Sequence, residues 1–285
     1  MKEVYVITGG NGGMAEALEL IVGKDYDLLL TFRSQEKADA HLAKLAEQGI
    51  EAEGYVCAVE DREQVKALAE YAKAKGPVKA VVHTAGVSPS LAPGGGYEIM
   101  KTNVLGTINV VEEFYDVVAE GGSVLTLSST GGHSYKDLFP KEPADIKLID
   151  DYTDPDHIDK LFKLAQETTV KFGGAVSEDW MCYCISKYFV IRYTARNAFR
   201  YYRNKGVRIN SVSPGNFATR MGLIEKENTE GEGQQLLAAI HRFGEPNEIA
   251  QVMAFMTSDL ASDVTGEDWL VDGGAMVGLT MAQIQ

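Results

Sequence analysis

The hydrophobic pattern declares itself at the first residues. VYVIT (Val4–Thr8) is a short run of mostly β-branched residues, followed by GGNGGMA and then by AEALELIVG, where apolar positions recur at helical spacing. A second apolar run, DLLLTF, leads into a polar helix predicted over 34–48 and closed by Gly49. EAEGYVCAV reads as a third strand and Arg62–Lys75 as the helix after it. KAVVH (79–83), SVLTL (123–127), VRINSV (207–212) and DWLV (268–271) are further strand candidates, most of them separated by helical patterns. Strands alternating with helices of this length make βαβ units. They predict an α/β fold, a doubly wound parallel sheet of Rossmann type covered on both faces. No internal repeat or low-complexity tract divides the chain, so a single domain is expected over 1–285.

One stretch breaks the alternation. No strand candidate occurs between Gly132 and Trp180, and residues 136–160 hold eight acidic and four basic side chains. Within it Asp154-Pro155 reads as a helix N-cap followed by a first-turn proline. Ile158, Leu161, Phe162, Ala165 and Phe172 then share one helical face, and Gly173-Gly174 supplies the stop. Residues 133–179 are therefore expected to be a structured helical insert within the domain, placed before the helix that carries Tyr183.

Composition narrows the partners. With 45% apolar and 24% charged residues in 285, there is material for a sizeable core. The formal charge of −14 disfavours nucleic acid and anionic membrane surfaces, which need a basic face. No apolar run reaches the roughly 18–20 residues of a membrane span, and MKEVYVITGG is too short for a signal peptide. A cytoplasmic location is expected. Cys57, Cys182 and Cys184 make no C-x-x-C motif, and the five histidines show no ligand spacing. No metal site is expected.

Two features carry candidate chemistry. TGGNGGMA (8–15) joins the first strand to the first helix, where unpaired N–H groups and the helix dipole favour a pyrophosphate. Gly9, Asn11, Gly12, Gly13 and Met14 are its candidate cofactor residues; the plainer reading is a tight glycine turn. At the end of the second strand, where an acidic residue would hold the ribose of NAD, the chain has Phe32, then Arg33 and Ser34. An arginine fork suits a 2′-phosphate, so NADP(H) is favoured over NAD(H). The alternative is an exposed arginine at a helix entry. The second feature is a tyrosine and a lysine four residues apart, Tyr183 and Lys187. Tyr71–Lys75, Tyr97–Lys101 and Tyr201–Lys205 share that spacing, so it decides nothing alone.

Order decides more. TGGNGGMA (8–15), HTAG (83–86), KTNVLG (101–106), TLSSTGG (126–132), YCISK (183–187), SPGNFAT (213–219) and VTGEDWLVDGG (264–274) together resemble the short-chain dehydrogenase/reductase family over nearly the whole chain. The resemblance implies a nicotinamide cofactor and a catalytic set of Asn103, Ser129, Tyr183 and Lys187. Tyr183 exchanges a proton with the substrate oxygen, Lys187 stabilises tyrosinate and holds the nicotinamide ribose, Ser129 hydrogen-bonds the reacting oxygen, and Asn103 anchors a proton-relaying water. Ser128 is the rival of Ser129; the family pattern favours the second serine. Only Tyr183 falls between TLSST and SPGNFAT, which sets the other three pairs aside. Ala85, Gly86, Pro214, Gly215 and Thr219 join the cofactor residues.

The chain also departs from the pattern. Ala15 replaces the third glycine, Thr84 stands where Asn is common, and Ala58 stands where Asp often meets the adenine. The largest departure is the separation of Ser129 from Tyr183, which the family keeps much closer. An insert there looks most like the bacterial 3α-hydroxysteroid dehydrogenase/carbonyl reductase branch. That likeness implies a steroid- or bile-acid-sized substrate and a homodimer or homotetramer. Residues 222–235, rich in glycine and glutamate, read either as a lid over the substrate or as an ordinary solvated loop. The expected activity is interconversion of a secondary alcohol and a ketone. The alternatives are a general carbonyl or 3-oxoacyl reductase, and a non-catalytic NADP-sensing regulator, which should lack Tyr183 or Lys187. A sugar-nucleotide epimerase could use Gly9, Gly12 and Ala15, but SPGNFAT and VDGG count against it.

Overall fold

The computed structural model describes residues 2–227 and 237–282. Seven strands form one sheet, β1 (Val4–Thr8), β2 (Asp27–Phe32), β3 (Ala52–Val56), β4 (Val78–His83), β5 (Val118–Leu127), β6 (Arg208–Pro214) and β7 (Asp268–Val271). Their order is β3-β2-β1-β4-β5-β6-β7, with every pairing parallel. This is the doubly wound Rossmann-type fold in a single domain. Alternate residues of each strand serve opposite faces. Val4 and Val6 belong to one core cluster, with Val81, Val124 and the helix of Tyr183; Tyr5 and Ile7 belong to the other, with Leu18, Leu28, Leu30 and Met253. Both faces are thus buried, and the central strands can be apolar throughout.

The chain builds outward from β1 to β3 and then returns to lay β4 on the other side of β1. At such a reversal the loops leaving the carboxyl ends of the strands diverge and leave a crevice, which is where ligands bind in open α/β sheets. Thr8, His83, Leu127 and Pro214 end their strands at that edge.

Two of the strand boundaries that differ from those read in the sequence belong to β5 and β6. β5 begins at Val118, five residues before the SVLTL run. Val78 pairs with Val118 but Ala80 with Ser123, so 119–122 bulge out, with Gly121 at φ 78°. β6 runs on through Ser213 and Pro214, pairing with β7 to its end.

Residues 130–171 form three helices, α6 (Thr130–Leu138), α7 (Pro143–Asp150) and α8 (His157–Lys171). They lie against α9 (Glu178–Lys205), the long helix that carries Tyr183. The Asp154-Pro155 cap is misplaced by two residues: α8 starts at His157, and Asp154 instead closes a preceding turn, its Oδ1 accepting from the Asp156 amide at 2.8 Å. The apolar face is as the periodicity implies, with Ile158, Leu161 and Ala165 buried and Phe162 and Phe172 half-buried. Asp150 binds Arg192 and Arg196 of α9, and Tyr152 stands edge-on to Tyr193. Leu161 is fully buried, so Leu161→Ala is expected to lower stability by about 2–5 kcal/mol in a denaturant titration. A loop merely resting on the surface would lose less than roughly 0.5 kcal/mol.

Candidate active site

The site is assembled around α9. Ser177 caps the helix by accepting from the Trp180 amide at 3.1 Å, Glu178 and Asp179 suit its positive end, and Gly206 closes it in the left-handed conformation. Trp180, Tyr183 and Lys187 are three and four residues apart, on one face, and all three line the same cleft.

The end of β5 fixes where that face sits. The Leu127 carbonyl accepts from Lys187 Nζ at 2.9 Å, and Ser128 Oγ donates to the Lys187 carbonyl at 2.8 Å. Ser129 caps α6, its Oγ accepting from the Gly131 amide at 3.1 Å. The two serines therefore have different employments. Ser128 is spent on holding α9, whereas the Ser129 hydroxyl, with its oxygen taken by an amide, keeps its proton for another acceptor. Gly131-Gly132 lets α6 lie directly on α9: a Cβ at 132 would stand 2.8 Å from the Lys187 carbonyl carbon, and one at 131 would stand 3.0 Å from the Tyr183 ring.

Asn103 lies in a π-helical turn, Lys101–Leu105, a distortion often found at functional sites. It is buried behind the cleft. Its Oδ1 accepts from the Val87 amide at 2.9 Å, and its Nδ2 donates to the Val87 carbonyl and Ser186 Oγ, both at 3.0 Å. Asn103 thereby ties the loop after β4 to α9. Gly86 leaves room for this: a Cβ there would stand 3.0 Å from Asn103 Oδ1 and 3.3 Å from Lys187 Nζ.

Lys187 is 6% exposed, and burial lowers its ammonium from the usual 10.5 to about 8. It is charged at neutral pH, with Nζ 5.8 Å from the centre of the Tyr183 ring. The other three Tyr–Lys pairs have other occupations. Tyr71 and Lys75 both bind Glu53 on the surface, Tyr97 donates to Asp159 at 2.8 Å, and Tyr201 is buried with its hydroxyl on the Val111 carbonyl.

The glycine turn fits a dinucleotide. Gly9 has φ 73°, and a Cβ there would lie 3.0 Å from the Ala85 backbone, so the turn needs glycine both for its conformation and for its approach to β4's loop. Helix α1 (Gly13–Val22) opens at Gly12, and among the described residues no cap side chain bonds its first amides. A phosphate is the natural partner of such a bare N-terminus. Asn11 and Gly12 are exposed there, while Gly13 sits against Thr219, a Cβ at 13 lying 3.2 Å from Thr219 Cγ2. Met14, Gly86, Pro214, Gly215 and Thr219 line the cleft with the Tyr183 face. Arg33 and Ser34 lie apart from it, Ser34 capping helix α2 (Gln35–Glu47) by accepting from the Lys37 amide at 3.4 Å. Thr84 donates from Oγ1 to the Thr8 carbonyl at 2.6 Å, stitching β4's loop to β1.

Sequence reading missed Val87, Pro89, Trp180 and Phe217, which give the cleft apolar surface. Of these Phe217 lies within SPGNFAT, and Trp180 stands one helical turn before Tyr183. Of the stretch 222–235 read as lid or loop, Gly222 is at the cleft, next to Met221 on helix α10 (Arg220–Glu227); residues 228–236 lie outside the described residues.

Family comparisons meet this geometry. A model described as short chain dehydrogenase matches residues 3–140, and one described as Enoyl-(Acyl carrier protein) reductase matches 167–276. The chain belongs to the short-chain dehydrogenase/reductase family. The dehydrogenase/reductase is accordingly an NAD(P)-dependent oxidoreductase acting on alcohols or ketones. Between the two matches lie 141–166, the heart of the α7–α8 segment. A short-chain dehydrogenase/reductase of Alternaria brassicicola is 29% identical over 98% of both chains. A 3beta-hydroxysteroid dehydrogenase 2 of Eggerthella lenta is 25% identical over 95% of this chain and 94% of its own. The fold matches an actinorhodin polyketide ketoreductase solved with NADPH, TM-score 0.73 at 22% identity, covering 96% and 97% of the two chains. Among the described residues no helix is long and apolar enough to cross a membrane.

Proposed function

We propose that this cleft interconverts a secondary alcohol and a ketone on a hydroxysteroid or bile acid, with NADP(H) preferred to NAD(H). The observation that carries the reading is the meeting of Ser129, Tyr183 and Lys187 in one cleft that Met14, from the glycine-rich turn after β1, also lines. What a bound nicotinamide supplies is two-electron redox chemistry; the protein supplies the proton and the alignment.

Tyr183 gives its phenol proton to the ketone oxygen in reduction and takes it back, as tyrosinate, in oxidation. A free phenol titrates near 10, too high for a good base at neutral pH. The Lys187 cation one turn away favours tyrosinate, and Leu127 holds that cation in place. Ser129 donates to the same substrate oxygen. Asn103 keeps the Val87 loop and Ser186 in register with α9, and anchors the water that returns the proton. In this reading 133–179 is an insert in the single domain, and it acts on the substrate side through Trp180, which packs on Phe139, itself edge-on to Phe172.

The serines separate chemistry from scaffolding. Ser129→Ala is expected to lower kcat by about 10²–10³-fold, the cost of one donor to a developing oxyanion, and to cost about 1 kcal/mol of stability through the lost α6 cap, with the protein still folded. Ser128→Ala is expected to cost about 1 kcal/mol of stability, through the hydrogen bond to α9, and little turnover. Equal kinetic effects of the two would overturn the assignment.

The substrate reading rests on the apolar wall of Val87, Pro89, Trp180 and Met221, on the insert, and on the named relative that acts on hydroxysteroids. A turnover screen with both cofactors against ketosteroids, oxo bile acids and small ketones tests it. A higher kcat/KM for the large substrates supports it; higher values for small ketones or 3-oxoacyl thioesters would return the protein to the general carbonyl reductases.

A further inference from the structure

The place at the end of β2 where a carboxylate would hold ribose hydroxyls is filled by buried Phe32, with Arg33 next to it. Arg33 is half exposed but not unaccompanied. Its Nη2 lies 3.5 Å from Glu60 Oε1 and 3.3 Å from Thr102 Oγ1, and its Nη1 lies 3.9 Å from Glu98 Oε1. Glu60 comes from the loop after β3, and Glu98 from α4 (Gly95–Met100), the short helix before the π-helical turn. The second oxygen of Glu98 accepts from the Gly94 amide at 2.6 Å, which fixes that carboxylate. The second oxygen of Glu60, Oε2, is buried and has no hydrogen-bond partner among the described residues.

One cation faces two carboxylates. A 2′-phosphate carries roughly −1.5 to −2 charges at neutral pH, so to reach Arg33 it must displace or sit beside two anions. A ribose hydroxyl has the opposite requirement: it can donate, and an unpartnered buried carboxylate oxygen is a costly vacancy that a donor relieves. We propose that Glu60 and Glu98 are the cofactor-choice residues of this protein. They hold down the preference that Arg33 gives to NADP(H), and Glu60 takes the ribose hydroxyl of NAD(H), replacing the carboxylate absent at position 32. The inference rests on the reading of Arg33 as the partner of a 2′-phosphate.

Dissociation constants for NADPH and NADH, measured by the fluorescence of the reduced cofactor without any substrate, test it. Glu60→Gln is expected to tighten NADPH by about tenfold and to weaken NADH. Glu98→Gln keeps an acceptor for the Gly94 amide and is expected to tighten NADPH by about threefold, leaving NADH unchanged. Arg33→Ala is expected to weaken NADPH about tenfold or more and to spare NADH. Thermal melts matching the wild type confirm that each variant is folded. If both glutamine variants leave both constants unmoved while Arg33→Ala weakens NADPH, the role of the glutamates is overturned and that of Arg33 stands. If Arg33→Ala leaves the NADPH to NADH ratio unchanged, the NADP(H) reading itself fails.

Discussion

Tyr183→Phe is expected to keep its fold and its affinity for NADPH while losing about 10²–10⁴-fold in kcat, the usual share of a positioned general acid. The substitution removes one oxygen. The ring that remains still lies against Gly131 and still accompanies Lys187, so nothing in the packing of α6 on α9 need change. Ser129 would still polarise the ketone, which sets the residual rate. Steady-state assays and a thermal melt together check the point: a large fall in kcat with an unchanged melting temperature and unchanged NADPH binding is the expected pattern. A variant in which KM alone rises would make Tyr183 a binding residue.

Lys187→Met is expected to be comparably damaging to turnover, for an electrostatic reason. The cation is what brings the Tyr183 phenol toward a working range, and methionine fills a similar volume without charge. Because burial lowers Lys187 to about 8, the wild-type protein should lose ketone reduction as pH rises through about 8. That limb, read in kcat/KM, should be absent from the residual activity of Lys187→Met. Stability should move the other way. A lysine lowered from 10.5 to about 8 binds its proton less readily folded than unfolded, so its charge opposes folding below about 8, and that penalty fades as pH rises toward 10.5. Lys187→Met is therefore expected to be at least as stable as the wild type at neutral pH, a cost that only a functional charge explains. A Lys187→Met protein that is active but unstable would reverse the argument.

The sheet was legible because its strands are short buried runs set between helices. β1 and β7 have the same bounds in the sequence pattern and in the structure, Val4–Thr8 and Asp268–Val271. β5 was half hidden because its first part, AEGG, has no apolar alternation and bulges from the ladder. α8 was legible from its apolar face, but its start was misjudged because Asp154 offers its carboxylate to a turn that precedes the helix. α7 was missed although Glu142 and Pro143 stand at its beginning, where a proline at the first position and a capping box are both present.

The site divides in the same way. Tyr183 and Lys187, which share the cleft, are legible as candidates because one helix fixes their spacing and position along the chain sets three equivalent pairs aside. The family pattern already favours Ser129 over Ser128; what no sequence shows is the long-range contact that commits Ser128 to the Lys187 carbonyl. The Leu127 carbonyl leaves no mark in a sequence at all. Arg33 was visible, but Glu60 and Glu98 reach it from separate elements, and no local pattern connects them. Gly131-Gly132 belongs to the TLSSTGG motif; that it sets the distance between α6 and α9 emerges only from the approach of the Lys187 backbone.

The central claim is that the cleft of Ser129, Tyr183 and Lys187 moves a proton to a ketone whose reduction consumes a reduced nicotinamide. Its most direct test is the decay of nicotinamide absorbance in a single turnover, with wild type and Tyr183→Phe each loaded with NADPH and mixed with a ketosteroid. The expected result is a ketone-dependent decay in the wild type and a nearly flat trace in Tyr183→Phe, with NADPH bound equally by both. Matching decays in the two proteins would contradict the account.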